Sequence, residues 1–225
     1  MNNLITLVIA TRNSGKTAEI EALLSGHPVK IKNLQDFGPI PQVEEDGNTF
    51  DENAYKKASF AARILGFPVL ADDSGLVVEA LFGAPGVFSA RYGGVNLKDE
   101  ERCVNLLHEM KDKTNRKAFF ECVISVAVPT GNALTYEGRC EGIIAEKQSG
   151  SNGFGYDPIF YYPSLKKTFA EMSMEEKSSV SHRGRALNDL KNEFGKVLIW
   201  IRQNMPVQDK FKVMPGCEKT DIKIR

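Results

Sequence analysis

Val69-Leu70-Ala71-Asp72-Asp73-Ser74-Gly75 sets an aliphatic run directly against two carboxylates, a hydroxyl and a glycine. A run of this kind reads as a buried strand, and the acid pair falls where that strand is expected to surface. Side chains alternate between the two faces of a strand, so only one of the two aspartates is expected to address a given site. A carboxylate at the carboxyl end of a buried strand is placed to hold a divalent cation or to accept a proton. Burying it is costly unless something pairs with it.

Working outward, Leu4 to Ala10 is a second strand candidate, and it runs into Thr11-Arg12-Asn13-Ser14-Gly15-Lys16. A helix is predicted from about Lys16, with Ile20, Leu23 and Leu24 inward and Gly26 as its stop. A short strand follows at Val29 to Leu34, then a loop carrying Glu44, Glu45 and Asp46. The next helix runs from about Asp51 to Leu65 on a ladder of Phe50, Ala54, Ala58, Ala61, Ala62 and Leu65. Lys57 lies three after Ala54 and four before Ala61, so it leans into the buried side while Lys56 faces away. An inward lysine needs a partner.

Beyond the twin aspartates, Gly83 to Gly94 is a Gly/Pro-rich loop, dense enough in special-conformation residues to form a shaped wall. Asn96 is the expected cap of a helix whose core includes Cys103, Leu106, Leu107 and Met110. Ala118 to Val128 and Leu134 to Glu146 read as an antiparallel pair joined at Pro129-Thr130-Gly131-Asn132. Ile159 to Tyr162 is a short aromatic strand. Ser173 with Glu176 forms a capping box, and Ser181 caps a last helix burying Leu187, Leu190, Phe194, Val197, Leu198 and Ile201. The fold class is mixed α/β.

Composition narrows the functions. The 225 residues carry 29 basic and 29 acidic side chains, which argues against a general nucleic-acid or membrane-surface binder. The four cysteines lie far apart without a C-x-x-C pair, and the three histidines are scattered, so a zinc site is not expected. With neither a signal-type segment nor a membrane-length apolar run, the expected location is cytoplasmic.

Several segments have the makings of a site. Thr11 to Lys16 offers backbone N–H groups and a cation to an anion at a helix start. Gly15-Lys16-Thr17 matches the end of a P-loop, but Ala10 stands where its first glycine belongs. The acidic stretch is either a solvated loop or a second metal-ligand arm completing Asp73. Mg²⁺ needs only one or two carboxylates besides phosphates and water. Phe154-Gly155-Tyr156-Asp157-Pro158 combines aromatic faces with close backbone approach, as base stacking requires, although an aromatic turn packed on the core has the same composition. Arg183 at a helix start opposes the helix dipole unless it serves a ligand.

Taken in order, Thr11 to Lys16, Thr49-Phe50-Asp51-Glu52-Asn53-Ala54, Ala71-Asp72-Asp73-Ser74-Gly75, Gly83-Ala84-Pro85-Gly86, Ser89-Ala90-Arg91-Tyr92, Gly153 to Pro158, Glu176-Lys177-Ser178 and Ser181-His182-Arg183 resemble the Ham1/RdgB-type family of non-canonical purine nucleoside triphosphate pyrophosphatases. The resemblance spans about residues 4–202. It implies an elongated two-lobed α/β fold with the site in the cleft, acting as a homodimer. It also implies Mg²⁺-dependent hydrolysis of dITP/ITP and XTP/dXTP to monophosphate and pyrophosphate.

Carried over by motif, Thr11, Arg12, Asn13, Ser14, Gly15 and Lys16 would hold phosphates; Lys57, placed inward by the helical period and not by the motif, is expected to neutralise charge there. Asp73 would be the general base and a metal ligand, with Glu44 or Glu45 as the second metal carboxylate. Ser74 would contact substrate, and Phe154, Gly155, Tyr156, Asp157, Lys177, His182 and Arg183 would hold base and sugar. Residues 1–203 are then one bilobed domain, and 204–225 are an extension without an assigned role. A P-loop-like phosphotransferase and a nucleotide-binding protein without turnover are the competing readings.

Overall fold

The computed structural model describes residues 4–11, 14–41 and 43–206. Arg12 and Asn13 therefore lie outside the described residues, as do Cys217 and nearly all of the expected extension. The first elements are strand β1 (Ile5–Ile9), helix α1 (Ser14–Leu24), β2 (Val29–Asn33), α2 (Phe50–Leu65) and β3 (Val69–Val78). Helix α3 (Asp99–Glu109), β4 (Lys117–Ala127) and β5 (Ala133–Ile144) follow. The last elements among the described residues are β6 (Phe160–Tyr162), β7 (Lys167–Thr168), α4 (Met174–Val180) and α5 (His182–Asn204). Among the described residues no helix is long and apolar enough to cross a membrane.

The strands form one seven-stranded mixed sheet in the order β2-β1-β3-β4-β5-β6-β7. β1 lies parallel to β2 and β3; the remaining neighbours are antiparallel. Alternation decides which helix covers which face. Leu70 packs with Leu7, Ile9, Ile20 and the apolar stripe of α5, whereas Val69 and Ala71 pack against the alanines of α2. Those alanines let α2 lie close on the sheet. Its ends are set as the sequence requires: Thr49 Oγ1 accepts the Glu52 N–H at 3.1 Å, and Gly66 closes it in the left-handed conformation. A further apolar group gathers around Leu106, Phe120, Phe160 and Phe169 toward the β6–β7 end.

Three expectations are corrected. The twin aspartates are not at the end of a strand. β3 continues to Val78, paired with β4 from Val69↔Ala127 to Val78↔Ala118. The opening comes instead from its other neighbour, because β1 pairs with β3 only at Val8↔Val69 and Ile9↔Leu70. From Ala71 onward that edge of β3 has left β1 behind, and a crevice forms mid-strand. Second, Asn96 does not cap α3. Lys98 holds that position because its N–H reaches the Glu101 carboxylate at 2.7 Å. Third, α1 begins at Ser14, two residues before the expected start at Lys16.

Candidate active site

A cavity of about 990 Å³ opens along this edge of β3. Its walls include Thr11 and Lys16 after β1, Glu45 and Lys57 beside α2, and Asp72, Asp73 and Ser74 on β3. Phe154 to Asp157, Lys177 and His182 line it as well, and Arg183 lies between them and Asp72. Both aspartates line the cavity. The expectation that only one could do so fails because the crevice wraps around an open strand edge and reaches both faces.

On the α5 face, Asp72 is 3% exposed and gathers two cations. Lys16 Nζ stands 2.7 Å from its Oδ2, and Arg183 Nη2 is 3.2 Å from the same oxygen. Arg183 Nη2 also donates to Ser74 Oγ at 3.0 Å, two residues along on the same face. Burial favours the neutral acid at Asp72, but the Lys16 and Arg183 charges outweigh it and hold the group well below the ordinary carboxylate range. Arg183 at a helix start thus has a protein partner in Asp72, which the sequence reading did not foresee.

Asp73, 8% exposed, faces α2. Lys57 Nζ donates to its Oδ1 at 2.7 Å and to Glu45 Oε2 at 3.3 Å. The lysine's side chain is 13% exposed against 40% for Lys56, as the helical period predicts. One ammonium shared between two carboxylates does not offset burial, so the Asp73 carboxyl is pushed up. Lys57 loses to burial and gains more from Asp73, Asp72 and Glu45, and its ammonium is held above the ordinary range. Neighbouring carboxylates with opposite displacements are the pattern that separates a fixed charge from a proton acceptor.

Glu45, not Glu44, is the acid that turns into the cavity, while Glu44 is exposed. Among the described residues no group of three or more His, Cys, Asp or Glu could hold a metal. The pair Asp73 and Glu45, drawn together on Lys57, fits an ion such as Mg²⁺, for which one or two carboxylates with phosphate and water suffice.

Lys177 is ion-paired with the buried Asp157, whose carboxylate also accepts the Phe154 N–H at 2.9 Å. Burial raises the Asp157 carboxyl against the pull of Lys177. Lys177 Nζ lies 4.8 Å and the Arg183 guanidinium 5.6 Å from the Phe154 ring centre. His182 stacks on Phe120 with ring centres 4.6 Å apart and 12° between planes. Burial, with Arg183 and Lys177 nearby, keeps His182 neutral well below its usual range, and its Nδ1 is buried without a partner. Tyr156 donates to the Ser89 carbonyl at 3.0 Å.

Of the predicted residues, Thr11, Lys16, Lys57, Asp73, Ser74, Glu45 and the Phe154–Arg183 group share one cavity; Ser14 and Gly15 open α1. Asp72 as a charge hub, Phe120 beneath His182, and Asp99 were missed. The Asp99 carboxylate accepts the Gly155 N–H at 2.7 Å and Arg102 Nη1 at 2.8 Å. Only Asp72 carried a sequence signal, since it shares a face with Ser74.

This sheet and cleft define an α/β protein of the architecture seen in solved Ham1 proteins. The Coxiella burnetii HAM1 structure matches with a TM-score of 0.82 at 44% identity, covering 86% of this chain and all of that one. The Staphylococcus aureus Ham1 protein gives 0.79 at 42%, covering 85% and 99%. The Ham1 family profile matches residues 7–193, and the chain belongs to the Ham1 family. It is 58% identical over 195 residues to a protein of Syntrophobacter fumaroxidans named dITP/XTP pyrophosphatase, covering 87% of this chain and 84% of that one. A Desulfotalea psychrophila protein of the same name is 53% identical over 199 residues, with 88% and 89% covered.

Proposed function

We propose that this protein hydrolyses non-standard purine nucleoside triphosphates (dITP/ITP and XTP/dXTP) between the α- and β-phosphates, releasing the monophosphate and pyrophosphate. One observation carries the reading: a buried carboxyl (Asp73) bound by Lys57, next in sequence to the Asp72–Lys16 ion pair, lines the same cavity as an aromatic ring and buried donors.

Lys16 and Lys57 neutralise the phosphate oxygens, and Asp72 holds the Lys16 and Arg183 side chains in place before substrate arrives. Asp73 receives the proton of the attacking water. Burial raises its carboxyl against the pull of Lys57, which strengthens it as a proton acceptor relative to an ordinary aspartate. Asp73 and Glu45 would hold Mg²⁺, which when bound supplies charge stabilisation at the phosphate oxygens. At the base end, Lys177 and Arg183 can only donate hydrogen bonds. They suit the O6 acceptor of hypoxanthine or xanthine and oppose the 6-amino group of adenine. The same reading takes residues 1–203 as one bilobed domain that pairs as a homodimer. The fully exposed Phe82 is the kind of surface group such pairing covers, and light scattering should give twice 24.9 kDa.

A panel of triphosphates with Mg²⁺, scored for pyrophosphate and orthophosphate separately, tests the activity. ITP and XTP should yield pyrophosphate far faster than ATP. Orthophosphate as the product would favour the phosphotransferase reading, and tight binding of ITP without turnover would favour a silent nucleotide binder.

A further inference from the structure

The Gly83–Arg91 segment and the Asn53 position belong to the motifs of this chain, yet the reaction outlined above gives neither a role. Their contacts converge on the acidic arm. The 3₁₀ turn Gly86–Arg91 is locked onto β3: Ser89 Oγ donates to the Gly86 carbonyl at 2.6 Å and accepts the Leu76 N–H at 2.9 Å. Gly75 makes this approach possible. A Cβ there would lie 2.5 Å from both Gly86 O and Ser89 Oγ. The turn is thereby fixed to the strand that carries Asp73, two residues from Gly75.

From this mounting Arg91 reaches across the loop and donates through Nη2 to the backbone carbonyl of Glu45 at 3.0 Å. The guanidinium is also held over the Phe88 ring at 4.9 Å. From the opposite side the fully buried Asn53 amide accepts the Gly47 N–H at 2.8 Å and donates to the Gly47 carbonyl at 3.4 Å. A loop with no regular structure is thus gripped on both sides of residue 46. Its backbone reference on the Arg91 side is the same strand that bears the other carboxylate.

We propose that Arg91 is a positioning residue for the metal arm: by fixing the Glu45 backbone to the β3 frame, it sets the Glu45 carboxylate beside Asp73. The inference rests on the reading of Glu45 as a metal carboxylate. Groups that orient metal ligands typically cost about 10–100-fold in metal affinity when removed. Arg91→Met should therefore weaken binding of Mn²⁺, measured by electron paramagnetic resonance on the full chain without nucleotide, by about 10-fold or more.

Four proteins make the test: wild type, Arg91→Met, Glu45→Gln and the double variant, each checked for cooperative thermal unfolding. The expected result is that both single variants weaken Mn²⁺ binding and the double variant is no worse than Glu45→Gln alone. Arg91→Lys, which retains a donor, should recover part of the loss. Unchanged affinity in Arg91→Met while Glu45→Gln is weakened overturns the proposal. So does a double variant showing the product of the two losses, because Arg91 would then act elsewhere. If Glu45→Gln alone leaves Mn²⁺ binding intact, the metal reading of Glu45 falls, and this inference with it. Should Arg91→Met not fold, Arg91→Gln run through the same cycle decides the matter by the same criteria.

Discussion

Replacing Asp72 by Asn removes one negative charge from a point where two buried cations meet. Lys16 Nζ at 2.7 Å and Arg183 Nη2 at 3.2 Å would both face a neutral amide. Removing one member of a buried ion pair costs about 3–5 kcal/mol, because the surviving charge has lost both water and partner. The two survivors are not equivalent. The Lys16 side chain is 16% exposed and can regain hydration, whereas that of Arg183, at 3%, cannot. At about 2–4 °C per kcal/mol for a chain of this size, the melting temperature should fall by about 6–20 °C. The pH dependence carries the sign. A carboxylate held below its ordinary value of 3.8 contributes stability that is complete above that value and is lost as pH falls through the depressed one. The gap between wild type and variant should therefore be constant from neutrality down to about pH 5 and close only in stronger acid. Calorimetry across that range is the assay, repeated with saturating pyrophosphate. A polyanion supplies the missing negative charge and should stabilise Asp72→Asn more than wild type. A melting temperature within about 2 °C of wild type at neutral pH, with no extra gain from pyrophosphate, would refute the idea that Asp72 holds these cations in place.

Three further outcomes follow from the same geometry. Asp73→Asn should fold and lose about 10²–10⁴-fold in turnover. A nearly active Asp73→Asn in steady-state assays would remove it as the base. Glu45→Gln should raise the Mg²⁺ concentration for half-maximal rate by about 10-fold or more, while Glu44→Gln leaves it unchanged, as a magnesium titration of both would reveal. Gly75→Ala sets a Cβ 2.5 Å from a backbone oxygen that cannot swing aside. It should cost about 1–3 kcal/mol in chemical denaturation, and a neutral result would mean that the Gly86–Arg91 turn is not tightly seated on β3.

Local patterns were readable where the physics is local. The period of α2 placed Lys57 inward and Lys56 outward because both share a helix with alanines that have nowhere else to go. Ser173 and Ser181 announced their helices because a hydroxyl at that position satisfies an N–H with no other partner. What stayed hidden depends on pairing at long range. Nothing in Leu4 to Ala10 says that its register with β3 stops at Leu70, so the aspartates were placed at a strand end and not beside an open edge. The partner of Asp72, Arg183, lies 111 positions away. An irregular loop has no period to sort Glu44 from Glu45; only the packed structure turns one of them inward.

The turn Gly86–Arg91 links two sides of the cavity as well as supporting one. Ser89 fastens it to β3, Arg91 extends from it to the Glu45 carbonyl, and the Ser89 carbonyl receives the Tyr156 hydroxyl from the Phe154–Asp157 loop. A cavity that is to hold a nucleoside triphosphate as proposed must keep the groups for phosphate and for base at a fixed separation, since reacting groups displaced by an ångström lose much of their advantage. A single support touching both sides meets that need with few contacts. Substitutions confined to one side, such as Glu45→Gln or Tyr156→Phe, should then alter mainly metal dependence or mainly KM. Displacing the turn itself, as Gly75→Ala does, should change both together, because neither side keeps its reference to β3.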